Sequence, residues 1–171
     1  MSAALTDLAV LLTADLDTIL TAATDMSCTP DVIQYTAGEP AAPVGSCTTV
    51  SVWIAELDNI GDQAPFLRQS SEVSCVDRPG VSMRIRVDVC YEDTETGDIT
   101  AAAHATVADC LYDLMAAIWC GIADMRASGT LMGLDCRQTS LGDFIVGQRS
   151  GGIVSATLTL EVEHDCAGAT S

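Results

Sequence analysis

A chain of 171 residues, 49% of them hydrophobic, holds enough apolar material for one cored domain and excludes wholesale disorder. Its 24 acidic side chains face only seven basic ones, all arginine, so the formal net charge is -17. Such a surface repels duplex nucleic acid unless the few arginines gather in one patch, because binding rests on cations that displace phosphate counterions.

No run approaches the roughly 20 consecutive apolar residues that cross a bilayer, so no membrane partner is expected. The first 20 residues carry Asp7, Asp15 and Asp17 and no basic n-region, unlike a signal peptide. A cytoplasmic origin follows as the expectation. With it goes the expectation that the eight cysteines are reduced, behaving as small buried hydrophobes.

In chain order, residues 3–23 have Leu5, Leu8, Leu12, Leu16, Ile19 and Ala23 at spacings of three and four, which predicts an amphipathic helix with Ser2 or Thr6 as its cap. A Pro- and Gly-rich connection follows, with a short extended piece at Val32 to Tyr35. Thr48 to Leu57 alternates as a strand. Trp53 makes its second face partly apolar, which places the strand centrally in a sheet.

Residues 58–80 form a long connection, read as a contact loop, with Phe66 and Arg68 as its candidate contacts. Val81 to Glu92 is the clearest strand. Val81, Met83, Ile85, Val87, Val89 and Tyr91 face a core, while Ser82, Arg84, Arg86, Asp88, Cys90 and Glu92 face water or a partner.

After the acidic turn EDTETGD, residues 104–126 predict a second helix on the stripe Val107, Leu111, Leu114, Met115, Ile118, Ile122 and Met125. Thr106 with Asp109 reads as its start, and Gly129 as its left-handed cap. Leu131 to Gly152 reads as a hairpin or extended arm outside the core, and Ile153 to His164 as the last strand. The whole predicts an α+β, two-layer domain with a mainly antiparallel sheet covered on one face by two helices, plus a long loop and a hairpin arm. It spans 1–165, with 166–171 a frayed tail.

No constellation carries chemistry, so no catalytic, cofactor or metal residue is expected. His104 and Cys110 are six helical positions apart and do not share a point on one face. The paired ligand spacing of a zinc site is missing, and EDTETGD lacks the closing glutamate of a calcium loop. Arg137 and Arg149 flank the arm with Asp143 between them. Salt bridges from these, and from Arg84 and Arg86, to an acidic neighbouring subunit are the functional alternative to plain solvation.

The succession of an amino-terminal helix, TTVSVWIAEL, VSMRIRVDVCYED, the helix CLYDLMAAIWCGIADM and the closing strand IVSATLTLEVEHDC resembles the tail terminator proteins of long-tailed, lambda-type bacteriophages. The likeness is one of layout, over about residues 4–165. It implies a non-enzymatic virion protein, made in the host cytoplasm, that forms a hexameric ring. The ring would meet the major tail tube protein on one side and the head-to-tail connector or stopper on the other. DNA would pass through without specific binding. The 58–80 connection is longer than the simplest members have. Another neck or connector component shares part of the layout. A small thiol enzyme using Cys110 or Cys120 with His104 is the alternative of a different class.

Overall fold

The computed structural model describes residues 3–41, 47–59, 79–91, 99–133, 139–147 and 152–163. Two helices pack on one face of a mixed sheet. Helix α1 is Ala3–Ala22 and α2 is Ala101–Ser128; the strands are β1 (Val32–Tyr35), β2 (Thr48–Asn59), β3 (Pro79–Cys90), β4 (Thr139–Leu141), β5 (Ile145–Val146) and β6 (Ile153–Glu163). Their order across the sheet is β1-β2-β3-β6-β4, with β5 also on β6. Among the described residues only the β1–β2 pairing is parallel; the four others are antiparallel.

The period-two pattern sets the core. Val50 lies opposite Val87, which lies opposite Ala156; Val52, Ile85 and Leu158 form the next row, and Met83 meets Leu160. All of these are buried. Against them α1 buries Leu8, Ala9, Leu12, Leu16 and Leu20, and α2 buries Val107, Cys110, Leu111, Leu114, Ile118 and Ile122. Helix α1 lies over β1 and β2, and α2 over β3 and β6. By length and composition α2 is apolar enough to cross a bilayer, yet here its stripe faces the sheet. At the helix crossing Gly121 lets α1 approach closely: a Cβ there would lie 2.4 Å from Ile19 Cγ2.

The start of α2 differs from expectation. Thr100 is the cap, its Oγ1 accepting from the Ala103 amide at 3.1 Å. Thr106 lies inside, its hydroxyl donating to the Ala102 carbonyl. Ala101 to Ala103 cost nothing to add to a helix, so the hydroxyl six residues earlier takes the role. The other end is as expected: Gly129 has φ 69° and ψ 25°, and the amides of Gly129 and Thr130 return to Arg126 O and Met125 O.

The arm forms a hairpin as expected, but its start does not lie outside the core. Leu131 and Met132, in a 3-10 turn after α2, are buried in the core; Met132 stands at φ 56°, and its amide donates to Asp15 of α1. Beyond it, β4 and β5 form a hairpin with β6 and supply an edge strand. The register moves by one residue between Leu141↔Leu160 and Ile145↔Thr157, so residues 142–144 form a bulge.

The cysteines are also corrected. Cys28 is bonded to Cys110 and Cys47 to Cys90, with Cα–Cα distances of 5.3 and 4.9 Å. Periodicity does not see such pairs, which are separated by 82 and 43 residues. Asp31 sets the second pair in place. Its Oδ2 accepts from the amides of Cys47 and Thr48, fixing the entry to β2 directly beside the end of β3. Cys120 is a free, exposed thiol.

Candidate interaction surface

The second face of the sheet is less open than its polar pattern predicts. Thr49, Ser51, Trp53 and Asp88 are buried there. Arg86 turns inward: its Nε donates to Asp88 Oδ1 at 2.8 Å, Nη2 to Ser155 Oγ at 3.2 Å and Nη1 to the Pro40 carbonyl at 3.3 Å. Ser155 donates to the same Asp88 oxygen. Arg86 thus ties β3 to β6 and to the chain after β1, its Nε, Nη1 and Nη2 each donating within the chain. Asp88 Oδ2 finds no hydrogen-bond partner among the described residues.

Arg84, two residues earlier, behaves differently. It is exposed and lines a shallow pocket of about 290 Å³ with Ile145, Gly147, Ser155, Thr157 and Thr159. Asp143 is exposed in the bulge between β4 and β5. Phe66, Arg68, Arg137 and Arg149, and the contact loop read at 58–80 apart from its strand ends, lie outside the described residues. Of the expected contact set, Arg84 and Asp143 are therefore the two that stand on the surface near β5.

Pattern reading missed the apolar half of this surface. Ile145 and Val146 are 71% and 56% exposed, on opposite faces of β5: Ile145 beside Arg84, Val146 on the helix side. Beyond Val146 a groove of about 430 Å³ runs between α2 and the sheet edge, lined by Tyr91, His104, Val107, Leu111, Tyr112, Met115 and Val154 among others. Tyr112 is 71% exposed. The groove's polar feature is the Tyr91 Oη to His104 Nδ1 hydrogen bond of 2.9 Å, the rings meeting edge to face. A usable signal existed in the adjacent pair Ile145–Val146. Two consecutive apolar residues in a short edge strand must expose one on each face unless something covers both.

Among the described residues His104 does not meet a free thiol. Cys110 is sealed in its disulfide, and Cys120 lies 16 residues along the same helix, about 24 Å away at 1.5 Å per residue. No group of three metal-ligating side chains forms among the described residues. What the surface offers is an apolar edge and groove beside one cation, suited to another protein surface. Neither a protein-family model nor a curated protein matches this chain.

Proposed function

We propose that this chain is a structural subunit of the head-to-tail junction of a long-tailed bacteriophage, and specifically the tail terminator. As a ring it ends the tail tube, meets the major tail tube protein and joins it to the connector or stopper. The observation that carries the reading is the architecture: α1, β1, β2, β3, α2 and the β4–β6 hairpin build the two-helix, one-sheet layer that the resemblance implies, and they leave an apolar edge at β5. The charge of -17 supports it, since an acidic lumen lets DNA slide without holding it.

Negative-stain images of the purified protein, alone and mixed with tail tubes, test the proposal. Rings seated at one tube end are expected. Tubes with bare ends in the presence of excess protein overturn it, and rings found elsewhere in the neck assign the chain to another connector component.

A further inference from the structure

Among the described residues five large hydrophobic side chains stand exposed, and they form two patches. Tyr112, Ile145 and Val146 mark the groove and edge at β5; Val10 and Leu11, 50% and 40% exposed, lie on α1. The sheet order keeps the patches apart. Helix α1 sits over β1 and β2, and β5 lies beyond β3 and β6, so three to four strand spacings of about 4.8 Å separate them.

Their charged neighbours differ. Asp7, Val10, Ala14 and Asp17 recur at spacings of three and four along the outward face of α1, with Leu11 beside them, and all are exposed. Helix α1 contains no basic residue. Its outward face is therefore an aliphatic patch between two acids. The β5 edge is an aliphatic patch beside the Arg84 guanidinium, which has no ion pair among the described residues and can take up an acid of a neighbour, with Asp143 exposed in the adjoining bulge.

We infer that two copies of this chain associate head to tail, the Val10/Leu11 face of α1 in one seated in the Tyr112/Val146 groove and on the Ile145 edge of the next. Asp7 or Asp17 then meets Arg84. Because the two surfaces differ, the pair keeps one of each free, and the contact propagates until it closes as a ring. This contact deepens the ring reading and rests on it for its biological setting, while its own observations are the two patches.

The test uses two full-length variants, Val10→Glu and Val146→Glu. Both positions are exposed, so thermal unfolding midpoints close to the parent's are expected and are checked first. Light scattering over a concentration series should show the parent assembling and each variant alone weakened about tenfold or more. Mixed, the variants should give a one-to-one dimer, since the intact helix face of one fits the intact groove of the other. Assembly of the Val10→Glu variant alone means groove-to-groove pairing and overturns the inference. So does a monomeric mixture, or a parent that is monomeric at every concentration. Rings on tube ends formed equally by both variants would sink this contact and leave the ring reading standing. Assembly through these faces without any attachment to tubes would do the reverse.

Discussion

At Asp88 a carboxylate that is 1% exposed meets a guanidinium that is 17% exposed. Removing one partner of a buried pair strands the other in a poorly solvated place, which costs about 3–5 kcal/mol. Asp88→Ala should therefore lower the urea midpoint by an amount equivalent to about 3 kcal/mol. The Arg86→Met, Asp88→Leu double variant should lose less. Equal losses in single and double variants would show that the pair is dispensable and that packing alone sets the cost.

Asp15 is the opposite case, an acid whose surroundings disfavour its charge. Burial raises its carboxyl above the usual value, and the Met132 amide pulls it partly back. The native state then holds this proton more tightly than the unfolded chain does. Stability from Asp15 is lost as pH rises from about 4 through the raised value. Asp15→Asn keeps an acceptor for the Met132 amide and removes the charge. It should be more stable than the parent at pH 7, the gap closing below about pH 4; a gap that widens on acidification contradicts the assignment.

The four bonded cysteines give a prediction in whole numbers. Alkylation of the denatured protein without reductant should leave Cys28, Cys47, Cys90 and Cys110 unmodified while labelling Cys120. Modification of all eight would restore the reduced state expected from the amino-terminal sequence.

At the scale of elements, what was legible followed from periodicity. The alternation of β3 and β6 and the stripe of α2 reproduce the core because burial is decided residue by residue at fixed spacing. Contacts between distant segments were not legible. The parallel seat of β1 on β2, the disulfides, and Met132 under α1 each depend on where a chain returns in space. The polar face of β3 misled for the same reason: its alternation is real, but Pro40 and Ser155 come from elsewhere to bury Arg86 and Asp88. In the candidate surface, Arg84 and Asp143 were legible as isolated charges. Tyr112 and Val146 became a surface only once α2 lay beside β5.

Gly121 belongs to this scale, because its role is the distance between two helices. Ile19 Cγ2, Cγ1 and Cδ1 would lie 2.4, 2.6 and 2.9 Å from an added Cβ. A β-branched residue in a helix has essentially one rotamer, so Ile19 cannot swing aside. Gly121→Ala gains about 1 kcal/mol of helix propensity and loses about 1–3 kcal/mol to overpacking. Net destabilisation is expected, read as a lower Tm. Adding Ile19→Ala should recover part of the loss; no recovery would place the strain elsewhere.

For the whole molecule, the charge of -17 sets two salt dependences of opposite sign. Copies of an acidic chain repel, and at 0.1 M salt the screening length is about 10 Å, so added salt lets apolar faces meet. Self-association, followed by light scattering, should therefore strengthen as sodium chloride rises. DNA binding would run the other way, weakening with a logarithmic slope of about -0.9 for each phosphate neutralised. A patch of arginines would be needed to hold a duplex, and of the two on β3 Arg86 is paired with Asp88, leaving Arg84 exposed on that strand. Fluorescence anisotropy with a labelled duplex should detect no binding even at low salt. Affinity that falls steeply with salt and vanishes in Arg84→Ala would overturn that expectation, and with it the idea that DNA passes this protein without being held.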